Sequence, residues 1–85
     1  MAEKEIGKIT HYFGKIGVGV VELSDVLKIG DKIHIKGATT DITQTVDSMQ
    51  INKNPVEEAK AGDAIGMKTT DQVRPGDVVF KVEEE

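Results

Sequence analysis

The residue types that could do chemistry in this 85-residue chain are few, and their spacing does not bring them together. His11 and His34 are the two histidines; there is no cysteine and no His-x-x-x-His pair, so no zinc-ligand spacing is present. Glu57 and Glu58 are adjacent, and on a helical turn adjacent carboxylates point in different directions rather than facing each other as an acid pair. The glycine-rich run Gly14-Lys15-Ile16-Gly17-Val18-Gly19 lacks the Gly-Lys-Ser/Thr ending of a phosphate loop. It leads into a valine-rich strand where a helix N-terminus would be needed. Asp31, Asp63 and Asp77 lie in separate turns, without the Asp-x-Asp-x-Asp spacing of a calcium loop. No nucleophile with its base can be named, so the chain reads as a non-enzyme with no cofactor and no metal.

Two surface groups are left as binding candidates. Alternation along the first strand puts Lys8, Thr10 and Tyr12 on one face, with Lys15 in the turn that follows; a later strand adds Lys32, His34 and Lys36. Lysines with an aromatic ring on a strand surface suit single-stranded RNA, through phosphate contact and base stacking. The formal charge is −4, and three of those charges are the terminal Glu83, Glu84 and Glu85, read as a solvated, frayed tail. The rest is close to neutral, so an RNA site would be a local patch. The second group is Val18 and Val20. With Val21 and Leu23 turned inward, these two face outward as an apolar patch for a protein partner.

The elements that must carry these residues are strands. Ile6–Phe13 and Ile16–Leu23 are joined by a tight turn at Gly14-Lys15, and Asp31–Lys36 alternates cleanly, with Ile33 and Ile35 inward. Thr43–Ile51 changes parity between Val46 and Met49, which predicts a bulge; Asn54-Pro55 breaks the chain, and Val56 and Ala59 are spaced for one helical turn. Ala64–Thr69 and Val78–Val82 complete the set. A Gly-Asp pair recurs three times, at Gly30-Asp31, Gly62-Asp63 and Pro75-Gly76-Asp77, each followed after one residue by a β-branched residue opening a strand. Glycine accepts the positive φ of a type II turn, Pro75 sets the preceding corner, and the aspartate accepts backbone N–H groups. These are structural corners of one all-β domain spanning 1–85. The N-terminus has no apolar run of a signal peptide, and no stretch is long enough to cross a bilayer, so a cytoplasmic protein without membrane contact is expected.

Six segments occur in an order that resembles a known domain. They are Gly7–Phe13, Gly17–Leu23, Leu27–Ile33, Val46–Ile51, Ala59–Gly66 and Val73–Val79. Over about residues 6–82 the chain is similar to domain 2 of the translation GTPases, the barrel of elongation factor Tu. That resemblance implies a small closed antiparallel six-stranded barrel with a Greek-key-like path. It also implies a translation factor-like module contacting tRNA, rRNA or the ribosome. The chain has no GTPase domain, so GTP binding does not carry over. Val56–Lys60 matches the loop that helps hold the tRNA end, with Glu58 as the acidic counterpart, but Asn54-Pro55 departs from the pattern. The same barrel recurs as an accessory domain in collagenase-like peptidases. The alternative expectation is therefore a protein-interaction barrel supplied in trans to such an enzyme or to an RNA-modifying one.

Overall fold

The computed structural model describes residues 2–70 and 72–83, and every regular element among them is a strand. β4 (Lys32–Lys36) shows the driving pattern: Ile33 and Ile35 are buried while Lys32 and Lys36 are exposed. The other strands are β1 (Ala2–Phe13), β2 (Val18–Leu23), β3 (Leu27–Lys28), β5 (Asp41–Thr45), β6 (Met49–Ile51), β7 (Asn54–Val56), β8 (Glu58–Ala59), β9 (Ala64–Lys68) and β10 (Val78–Glu83). Eight of them form one antiparallel sheet in the order β5-β4-β10-β1-β2-β9-β6-β7, and β3 pairs with β8 apart from it. Ile6, Ile9, Val21, Ile35, Ile65 and Val79 are at the centre of a single aliphatic core.

The all-β class holds, but the closed six-stranded barrel does not. The backbone ladder is open, with β5 and β7 as its two edges. The cause is the stretch Val46-Asp47-Ser48. It divides the expected strand Thr43–Ile51 into β5 and β6, which join opposite ends of the sheet. The sheet curls, and the gap beside β5 is spanned by a side chain instead of a ladder. Buried Gln44 donates its amide N–H to the Lys68 carbonyl (3.0 Å) and accepts the Thr70 N–H (2.9 Å).

Three local expectations also change. Val56–Ala59 is not helical, because Asn52 (φ 51°) and Lys53 (φ 66°) form a two-residue hairpin turn that sends the chain back as β7. Pro55 does not break the strand; on an edge strand its missing N–H is tolerated. Glu83 pairs with Ala2 in the β1–β10 ladder and so is not a frayed residue, whereas Glu84 and Glu85 lie outside the described residues.

The Gly-Asp corners are one device used three times. Gly30, Gly62 and Gly76 have φ of 92°, 93° and 95°, which an L-side chain rarely adopts. In each turn the Asp Oδ2 accepts the N–H of the residue three earlier, Lys28, Lys60 or Arg74, at 2.9 Å. Each turn also clips onto a buried residue of another segment. Gly76 and Asp77 bond both backbone groups of Ile9 (2.7 and 2.7 Å), Gly62 and Asp63 those of Leu23 (2.8 and 2.9 Å), and Gly30 and Asp31 those of Val46 (2.8 and 2.8 Å). The three turns differ in burial, since Asp77 is buried and Asp31 and Asp63 are half-buried. Asp77→Ala is therefore expected to cost about 2–3 kcal/mol, with Asp31→Ala and Asp63→Ala nearer 1 kcal/mol. Urea unfolding of the three variants checks this ranking, and equal losses would refute it.

Candidate protein-docking surface

The outer face of the β1–β2 hairpin is built by two irregularities in β1. Register shifts occur between Glu5 and Gly7 against β10, and between Ile9 and His11 against β2. The second shift changes which residues share a face. Ile9 is buried and Tyr12 packs half-buried against the core, while Lys8, His11 and Phe13 are exposed. The expected Lys8–Tyr12 surface is therefore split, and the ring that was to stack on a base is turned toward the core.

Of the other candidate cations, Lys32, His34 and Lys36 share the outer face of β4, and Lys8 lies across β10 from them. Strand β10 lies between β1 and β4, so Lys8 and Lys36 are opposite Val78 from its two sides. Lys32 is exposed at the start of β4, and Lys15 is exposed in the hairpin turn. His34 is half-buried beside the Phe80 ring, with centroids 6.4 Å apart. Its Nδ1 bonds Glu3 Oε2 (2.8 Å) and its Nε2 bonds Asp41 Oδ1. These two carboxylates, one on β1 and one on β5, tie three segments together through a single imidazole.

The Asp41 bond, opposed by desolvation and helped by Glu3, raises the His34 pKa above its ordinary value. Because the folded value lies above the unfolded one, the stabilisation is fully present below the ordinary histidine pKa. It is lost as pH rises through the raised folded value. Thermal melts across pH 5.5 to 8.5 should show a fall in melting temperature that is absent in His34→Gln. Parallel pH profiles for the two proteins would exclude the carboxylate–histidine–carboxylate bracket.

Val18 and Val20 point outward as expected from the alternation, half-buried, while Gly19, Val21 and Leu23 line the interior. A methyl on Gly19 would lie 3.2 Å from Val73 Cγ2, so Val73 would have to give way by a few tenths of an ångström. Val18 stands opposite Phe13 on one side and Lys68 on the other; Val20 stands opposite His11 and Gly66. The His11 and Phe13 rings are stacked, nearly parallel, 6.5 Å apart. The face is thus apolar at its centre, lowered at Gly66, and edged by Lys15 and Lys68. Phe13 and Ile16 are its most exposed members, and the alternation rule did not single them out. Their exposure follows from the turn, whose Ile16 and Gly17 N–H groups bond the Phe13 carbonyl (3.2 and 2.9 Å). That turn replaces the first two residues of the expected strand Ile16–Leu23. Among the described residues no group of acidic, histidine or cysteine side chains is arranged to hold a metal ion.

No protein-family model matches the sequence. The chain is 44% identical over 81 residues to an uncharacterized protease of Methanocaldococcus jannaschii, a match covering 94% of this chain and 20% of that protein. It is 37% identical over 78 residues to a collagenase of Porphyromonas gingivalis, covering 89% of this chain and 22% of the collagenase. The chain therefore spans about one fifth of the length of the curated relatives it matches. Among solved structures it is similar to the C-terminal domain of a Geobacillus thermoleovorans protein described as a U32 peptidase. That match has TM-score 0.88, 17% identity, and coverage of 94% of this chain and 93% of that domain. A selenomethionine variant of the same domain matches with TM-score 0.86. At this identity the structural likeness establishes the fold.

These comparisons overturn the translation-factor resemblance. The matched proteins are named proteases and collagenases, and the matched structures are a peptidase C-terminal domain, not an elongation factor domain. The six segments on which the resemblance rested are strands and Gly-Asp corners. They specify how a small sheet curls and carry no information about a translational role. Nor do the comparisons support RNA or ribosome binding. Among the described residues no helix is long and apolar enough to cross a membrane.

Proposed function

We propose that this chain is a non-catalytic, protein-binding β domain that docks against the body of a collagenase-like protein, attached to it or separate from it. The supporting observation is the 44% identity, across nearly the whole chain, to one fifth of an uncharacterized protease. A segment that small, with no nucleophile–base pair in its sequence, fits an accessory role better than a catalytic one. Its docking face is the outer side of β1 and β2 around Val18 and Val20. An apolar centre with a charged edge is the usual anatomy of a protein interface. The test is a titration of this chain into the body of the Methanocaldococcus jannaschii relative from which the matching segment has been removed. Circular dichroism should first confirm that the truncated body is folded. Binding in the micromolar range or tighter is expected, with a loss of about tenfold or more for Val18→Lys and Val20→Lys. No heat or mass change with a folded body would reject the reading.

A further inference from the structure

Three large apolar side chains are exposed among the described residues: Ile16 (63%), Phe13 (51%) and Ile29 (39%). Phe13 and Ile16 flank the tip of the β1–β2 hairpin, with the exposed cation Lys15 between them. Ile29 occupies the corner of the first Gly-Asp turn. The matching corners of the other two turns hold Ala61 and Pro75, so the turn itself does not call for a large residue there. Beside Ile29 are two adjoining clefts of about 440 and 400 Å³ that share Ile29 and Glu57. Pro55 and Val56 supply further apolar wall, and Asp47, Glu57 and Glu58 form an acidic rim. Lys28 reaches Glu58 at 3.8 Å, which leaves Asp47 and Glu57 to meet an incoming cation. Strand addition does not suit this edge, because Pro55 on β7 has no N–H to give.

The tip and the cleft are complementary: a cation between two apolar side chains on one, an apolar wall with an acidic rim on the other. We propose that the β1–β2 tip of one copy of this chain seats in the Ile29 cleft of a second copy, with Ile16 against Ile29 and Lys15 facing Asp47 and Glu57. This does not depend on the docking role proposed above. Because both contacts use the hairpin, a bound body would compete with the second copy. Each copy carries one tip and one cleft, so reciprocal contacts close a dimer and sequential ones build a chain. A tip-in-cleft contact buries less than the roughly 1,200 Å² typical of stable complexes, so the association is weak, dependent on concentration and reduced by salt.

Sedimentation equilibrium of the full chain from about 10 μM to about 1 mM, at low and high salt, tests this. The weight-average mass should rise with concentration and fall with salt. Lys15→Glu alone and Glu57→Lys alone should each weaken association by about tenfold. An equimolar mixture of the two variants should recover it, since the mixture contains one native and one reversed tip–cleft pair. Ile29→Ser should abolish association with its melting temperature unchanged. A monomer at the highest concentration overturns the proposal. So does association that is indifferent to both charge reversals, or a mixture that fails to recover.

Discussion

Replacing Gly7 by alanine is expected to lower the melting temperature of this domain by roughly 12–24 °C. A methyl there would lie 2.6 Å from the Glu22 carbonyl oxygen and 2.9 Å from Val21 Cγ1. Gly7 pairs with Leu23 on one side and Val79 on the other, at the first register shift of β1. The obstacle is backbone, so relief means separating β1 from β2 where both help to cover the core. Overpacking of this kind costs about 3 kcal/mol, and each kcal/mol shifts the midpoint of a domain this size by about 4–8 °C. The total stability expected of such a domain is only about 4–13 kcal/mol, so the variant keeps a small margin. Gly14→Ala is the control, because its added methyl would meet only a Tyr12 ring carbon at 3.6 Å. Thermal melts that place Gly7→Ala beside Gly14→Ala would show that the close approach of the two strands is dispensable.

The second large effect is expected at the seam of the open sheet. Gln44→Leu keeps the apolar volume but leaves the Lys68 carbonyl and the Thr70 N–H facing a side chain that can bond neither. Two fully buried orphaned backbone groups would cost about 1–3 kcal/mol each, but Lys68 and Thr70 are themselves exposed and water can replace part of the lost bonding, so a loss of about 1–3 kcal/mol in all is expected. Hydrogen exchange gives a readout specific to the seam, since the Thr70 amide should lose protection well before the amides of β1 and β2. Gln44→Glu should fall between the two: its carboxylate still accepts from Thr70 but repels the Lys68 carbonyl. Unchanged stability and Thr70 protection in Gln44→Leu would mean that the curl of the sheet holds without the amide.

These two positions also mark how much could be read in advance. Gln44 carries no signal in the sequence, because a glutamine in an alternating strand is ordinarily a solvent-facing residue. Its burial comes from the curl that brings β9 within reach of β5, a contact across 24 residues. Simple alternation puts Tyr12 on the wrong face for a related reason. A bulge adds one residue to one strand only, and it is defined by the partner strand, not by the strand that carries it. The alternation of Val18, Val20, Val21 and Leu23 was legible because β2 runs without a shift in both its β9 pairing and its stretch beside Gly7, Lys8 and Ile9. Phe13, Ile16 and Ile29 carry no surface signal in the sequence. An apolar residue next to a turn looks like a core residue until the turn has a geometry.

Local pattern alone carries the all-β class, the inward residues of β4 and β2, and the three Gly-Asp corners. Each of these depends on contacts within a few residues: the period of two along a strand, the positive φ of a glycine, and a carboxylate three residues from the N–H it accepts. The packing of distant strands around one core set the remainder. It set an open eight-stranded sheet in place of a closed six-stranded barrel, the imidazole held between Glu3 and Asp41, and the amide that spans the seam. It also placed the exposed hairpin tip and the acidic-rimmed cleft. All of these join residues distant in the chain, and their positions follow from how the whole sheet bends around one core. Local pattern records which way a side chain points from its own strand, but not which strand will come to lie beside it.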